Sequence, residues 1–186
     1  RKEKVQSGKF YMLDHQYRLD IEVDGQPLTI LVDRKLGKTR LLIPSDKVYL
    51  KMDNDDMLSL SSNPFEAQHY MAKKYETRQA GQETILGLSC DKQIISAQGK
   101  EVMTAWIAAK YNFPVKLESQ MDHRTLVLED IRDGNIEKTM FATPTGYKLV
   151  NSMPIAPPDW AKDIAAAPVL PPPFEKTLQE GQIVRI

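Results

Sequence analysis

A mostly β, α+β fold is predicted for this chain from three observations. Apolar residues alternate with charged ones at period two through the first half, turn residues recur at short intervals, and one segment carries a full set of helix-start signals. Alternation at period two gives a strand one apolar and one wet face, and strands this closely spaced pair antiparallel.

The first alternating run is Tyr17-Arg18-Leu19-Asp20-Ile21-Glu22-Val23, apolar at the odd positions. Asp24-Gly25-Gln26-Pro27 turns the chain and residues 28–33 return, which predicts a hairpin. Gly37-Lys38 precedes a strand over 39–43, Pro44-Ser45-Asp46 turns again, and 47–52 alternates Val48, Leu50 and Met52 with Lys47, Tyr49 and Lys51. Asn63-Pro64-Phe65-Glu66 then supplies an N-cap, a proline at the first helical position and a carboxylate at the third, which predicts a helix from 64 to about 75. After Gly81 strands are expected at 83–88, 90–97, 102–110 with Trp106 at the centre, 115–120 and 126–131. Asp133-Gly134-Asn135 reads as a hairpin turn with 136–141 returning. Seven of the 12 prolines lie between Pro154 and Pro173, so that stretch cannot serve as a central strand. A two-turn helix over 159–167, with Trp160 and Ile164 stacked at i,i+4, and a last edge strand at 182–186 complete the expectation.

With 186 residues, the chain is long enough to bury roughly 70% of its extended surface, so one domain is expected over 1–150, with 151–186 as a Pro-rich extension packing on it. Lys+Arg and Asp+Glu both number 25, and the balanced charge gives no long-range field toward nucleic acid or an anionic membrane. No apolar run approaches the roughly 18 residues of a spanning helix. The single Cys90 excludes an internal disulfide framework and a paired-Cys zinc site, and is expected to be a buried small hydrophobe.

The tests for chemistry come out negative. Asp53-Asn54-Asp55-Asp56 begins like a calcium loop, but Leu58 stands where glycine is required and Pro64 where the bidentate glutamate belongs. Gly37-Lys38-Thr39 has the tail of a phosphate loop, but Val32 occupies the position of its first glycine. His15, His69 and His123 have no metal-ligand spacing, and no nucleophile elbow, zinc helix or dinucleotide turn occurs. No metal, cofactor or catalytic residue is expected, and the chain reads as a non-enzyme.

The order Tyr17-Arg18-Leu19-Asp20, Leu31-Val32-Asp33, Leu36-Gly37-Lys38-Thr39 and Pro44-Ser45-Asp46-Lys47-Val48-Tyr49 resembles the opening of bacterial outer-membrane lipoprotein-sorting carriers, the Lol-type superfamily. Gly87-Leu88-Ser89-Cys90-Asp91-Lys92, Thr104-Ala105-Trp106-Ile107, Pro114-Val115-Lys116-Leu117-Glu118 and Phe141-Ala142-Thr143-Pro144-Thr145-Gly146-Tyr147 look like its uncharacterised envelope branch. The likeness covers about residues 9–150. It implies a curved antiparallel sheet forming an unclosed half-barrel packed on one or two helices, with an apolar hollow for lipid. It also implies a periplasmic or envelope location, with a signal segment removed before residue 1. In those carriers an arginine early in the sheet holds the lid by bonding backbone carbonyls, and Arg18 matches that position, although its own alternation places it on the charged face.

On that shape the candidate lining of the hollow is Leu19, Ile21, Ile30, Leu50, Met52, Phe65, Trp106, Leu117 and Phe141, with Arg18, Trp160 and Ile164 as candidate lid or gate residues. The expected partner is a lipid or the acyl chain of a lipoprotein, held between sheet and helix. The alternative is an envelope protein-interaction, sensor or scaffold domain in which Trp106, Phe141 and Met12, Met52, Met103 and Met140 simply fill the core.

Overall fold

The computed structural model describes residues 4–152 and 182–185. It is mostly β and rich in antiparallel pairs, with few helices. The first meander comprises β1 (Lys4–Leu13), β2 (Gln16–Val23), β3 (Gln26–Asp33), β4 (Lys38–Ile43) and β5 (Val48–Asp53). Two helices follow, α1 (Met57–Ser62) and α2 (Pro64–Lys74). The second meander is β6 (Glu76–Ile85), β7 (Leu88–Ala97), β8 (Lys100–Ala108), β9 (Phe113–Ser119) and β10 (Thr125–Val127). A single 3-10 turn (Lys138–Phe141), β11 (Lys148–Leu149) and β12 (Gln182–Arg185) complete the described elements.

The strand order is β11-β5-β4-β3-β2-β1-β12-β10-β9-β8-β7-β6. β1 serves both halves: Gly8 to Leu13 pair antiparallel with β2, and Lys4 to Ser7 pair parallel with β12. The changeover falls at Gly8, where a Cβ would sit inside the carbonyl oxygen of Asp20 and 3.0 Å from Cγ2 of Ile21. Only a residue without a side chain lets the two strands approach this closely.

The period-two reading of β2 to β5 matches the observed register. Phe10, Leu19, Ile30, Leu41 and Leu50 fall in one cross-strand row, with Met12, Tyr17, Val32, Thr39 and Met52 in the next. These rows form the inner face and join the cluster that includes Phe65, Ala67 and Met71 of α2 and Ile95, Met103, Ala105, Val115, Leu117 and Leu126 from the second meander. The opposite row, Tyr11, Arg18, Leu31, Arg40 and Lys51, lies on the outer face.

Several expectations are corrected. β1 carries no alternation before Phe10, a stretch over which its partner changes from β12 to β2, so period two does not mark it. α1 has no side-chain cap and six residues, too short to be stable alone; burial of Ser59 and Leu60 holds it. β6 begins at Glu76 rather than 83, and its turn is Leu86-Gly87, with φ of 50° and 78°. A leucine where asparagine or aspartate normally sits hides that turn from sequence. The ladder after β9 stops at Val127, and Asp133-Gly134-Asn135 makes no hairpin, because the 3-10 turn carries Phe141 to the outer face of the first meander. β12 lies between β1 and β10 rather than at an edge. The expected helix over 159–167, and with it Trp160 and Ile164, lies outside the described residues.

Gly8→Ala is expected to cost about 1–3 kcal/mol, the range for forcing atoms into a packed site, read as a lower urea midpoint at unchanged slope.

Candidate functional site

The most unusual chemistry in the described residues lies where the N-terminus of α2 meets the inner face. Asn63 caps the helix, its Oδ1 accepting from the backbone N–H of Phe65 at 3.1 Å and of Glu66 at 3.4 Å. Glu66 stands at the third helical position, where a carboxylate normally reaches back to the cap. Here it turns inward instead. Tyr17 donates its hydroxyl to Glu66 Oε1 at 2.7 Å, Arg34 donates Nε to the same oxygen at 2.9 Å, and Asn63 Nδ2 donates to the Tyr17 hydroxyl at 2.7 Å. Glu66 is 2% exposed, Tyr17 1% and Asn63 fully buried, so these groups exchange their water for one another.

Aromatic rings close over this polar knot. Phe65 lies 5.2 Å from Phe10, 6.0 Å from Tyr17 and 5.0 Å from Phe113, centroid to centroid. The Arg34 guanidinium sits 4.9 Å from the Phe113 ring centre and 5.4 Å from that of Tyr17. Burial, with the Glu66 carboxylate behind it, pushes the Tyr17 phenol well above its ordinary 10. His69, one turn further along α2, is held below its usual range by burial and then by the cations Arg34 and Lys73. The hydrogen bonds of the phenol, the carboxylate and the helix cap run to one another. The arrangement clamps helix to sheet.

The expected lining residues divide. Leu19, Ile30, Leu50, Phe65 and Leu117 are buried together in the inner cluster, and Ile21 and Met52 pack against it half-buried. Phe141 does not join them. It is buried on the outer face, where Arg40 donates to its carbonyl at 2.6 Å and to Thr143 Oγ1 at 2.8 Å, and Arg18 donates to the carbonyl of Met140 at 3.2 Å. Arg18 thus bonds a backbone carbonyl, on the face away from α2, with Asp20 at 2.9 Å as its acid partner. Trp106 belongs to the same buried cluster, but it stands in register with Lys92 and Lys116, whose ammonium groups lie 5.2 and 4.2 Å from its ring centre, and its indole N–H donates to Glu83 at 2.8 Å. Its row is opposite to that of Ala105 and Leu117.

Sequence reasoning missed Arg34 and Glu66 as a pair. The one available signal was a helix-start glutamate with an arginine directly after an alternating strand. Elsewhere, Asp53, Asp55 and Asp56 gather their carboxylates at the surface, where Lys38 bonds Asp53 and Asp56 accepts from the Asp53 N–H at 2.8 Å. Asp122 is buried against Arg124 with its Oδ1 unpaired. A half-open hollow of about 430 Å³ lies away from α2, between Leu86, Leu88, Tyr111 and Ile131, with Lys110, Asp130 and Asp133 at its rim.

No protein-family model and no curated protein matches the chain. Among solved structures it is similar to an uncharacterized conserved protein from Thermus thermophilus, at 10% identity and a TM-score of 0.46, over 77% of this chain and 80% of that one. It is similar to a DUF1329 family protein from Desulfovibrio piger at 14% identity and a TM-score of 0.26, covering 60% of this chain and 55% of that one. A third likeness is to PNGF-II, at 11% identity and a TM-score of 0.34, over 77% of this chain and 29% of that one. At TM-scores below 0.5 none of these establishes a shared fold.

Two outcomes are expected at the clamp. Arg34→Met, which strands the buried Glu66 carboxylate, should lower stability by about 3–5 kcal/mol in urea titration, and adding Glu66→Leu should return much of that loss. Tyr17→Phe should cost about 1–3 kcal/mol at neutral pH. The phenol ionises near 10 in the unfolded chain and higher in the folded one, so its stabilisation is complete below pH 10 and fades as pH rises beyond it. The Phe variant should lack that alkaline decline.

Proposed function

We propose that this chain is a non-enzymatic interaction or scaffold domain of the cell envelope, built as a bowed, unclosed sheet whose interior is filled by its own side chains. The observation that carries this reading is the state of the space between sheet and helix. Ile30, Ile43, Phe65, Met71, Ile95 and Ala105 are all 0% exposed, so no water-sized void borders any of them. The bowing is supported by ring contacts. Tyr17 on β2 and Phe113 on β9 are four strand positions apart, about 19 Å on a flat sheet, yet their centroids lie 5.4 Å from one another. The non-enzymatic part rests on the sequence motifs, and the envelope part on the sequence resemblance.

A second reading, the lipid or lipoprotein acyl-chain carrier, is favoured by the breadth of the apolar inner face. It runs from Leu50 to Ile95 with two helices against it. A ligand there would have to lift α2, breaking the Glu66 clamp and exposing Phe65 and Met71. Burying a 14-carbon chain contributes on the order of 10 kcal/mol. Exposing those two side chains forfeits roughly 3–6 kcal/mol and the clamp more, before the ligand's ordering cost. The balance is close enough that only a long acyl chain would open the helix.

Native mass spectrometry of protein purified without organic solvent separates the two. The expected spectrum shows the bare polypeptide mass. A stoichiometric lipid adduct that disappears on extraction, together with weaker retention in the filling variant Ala67→Leu, would overturn the filled-interior reading.

A further inference from the structure

The strand β12 differs in kind from those it joins. It runs parallel to both neighbours, with Lys4↔Gln182 to Ser7↔Arg185 on one side and Thr125↔Ile183 to Val127↔Arg185 on the other. The strands within each meander are linked by short turns, whereas β12 is preceded by roughly 30 residues after β11, a reach of up to about 100 Å when extended. Without it, the first half of β1 and the whole of β10 would be open edges facing one another across a one-strand gap. No strand pairing would then connect the two meanders.

The gap asks little of its occupant's sequence. Val184 falls in the row of Leu126 and Leu117, both in the inner cluster, while Ile183 falls in the row of Thr125 and Glu118. The described attachment of the segment is main-chain pairing on both sides. This is the mode by which peptides add to sheets.

We propose that the gap between β1 and β10 is a strand-acceptor site, and that the last strand of a second copy of this chain exchanges into it in place of the chain's own. The second copy is the occupant because its Gln182–Arg185 brings the same register and the same apolar position, and the preceding segment is long enough to reach a neighbouring molecule as well as its own slot. Exchange of an identical element between protomers is a low-cost route to association. The chain's own strand and that of a neighbour compete for one slot, so exchange in trans grows with protein concentration. The proposal deepens the interaction reading by naming the partner.

The test uses the full chain with a protease site inserted after Glu175, and a fluorescent peptide of residues 181–186 as probe. After cleavage the peptide should bind saturably by anisotropy. Uncut protein should need about 100-fold more peptide, because the tethered strand competes. A Val184→Pro peptide, which lacks one ladder N–H, should not bind. For exchange between copies, full chains labelled with donor and acceptor dyes should develop energy transfer on mixing at high concentration, and Val184→Pro chains should not. Cut protein that keeps its circular dichroism but takes up no peptide would overturn the acceptor site, as would equal binding to cut and uncut protein. Peptide uptake without energy transfer would overturn the second copy as occupant. Neither failure alters the lipid-adduct measurement, so the two readings fall separately.

Discussion

One buried carboxylate organises the centre of this molecule. Burying a group like Glu66 at 2% exposure is costly unless every lone pair finds a donor. Its Oε1 accepts from Tyr17 on β2 and from Arg34 just after β3, and Asn63 of the helix cap donates in turn to the Tyr17 hydroxyl. The helix face beneath it is mixed, with Gln68 buried beside Phe65, Ala67 and Met71, and apolar contact alone does not set direction. The hydrogen bonds supply that direction. They fix the position along β2 and β3 at which the N-terminus of α2 sits, and Phe10, Tyr17, Phe65 and Phe113 assemble around that fixed point.

The first meander is covered on both faces, which accounts for how the chain is spent after β10. Arg18 and Arg40 share a row with Leu31 on the outer face and bond the carbonyls of Met140 and Phe141, so Phe141 is buried there rather than beneath α2. The second meander solves the same problem differently. Lys92 and Lys116 hold their ammonium groups over the Trp106 ring, and the same groups meet Glu83 and Glu118 at 2.8 and 2.6 Å. Paired cations on the ring face here take the place of an apolar layer.

What the sequence makes legible follows from which forces are local. The alternation of β2 to β5 and the Asn63-Pro64-Phe65-Glu66 start of α2 are local, and both stand in the structure as read. The short α1 and the two-faced β1 are held by distant contacts and leave no periodic trace. Phe141 looks like a generic core residue in a sequence, because which face of the sheet an aromatic covers depends on contacts with strands far along the chain. The clamp was half visible. Glu66 carried a capping signal, and only the fold shows that Tyr17 and Arg34 redirect it.

The split duty of β1 also bears on the order in which structure can form. Its pairing with β2 closes over a two-residue turn, whereas Lys4 meets Gln182 only after 178 further positions of chain have been laid down. Ribosomal synthesis releases the first meander and α2 early, and the seam between the halves is sealed only after Gln182 has emerged, by a contact of large sequence separation. Until then the nascent polypeptide carries an open β ledge, the kind of surface that chaperones hold and neighbouring chains invade.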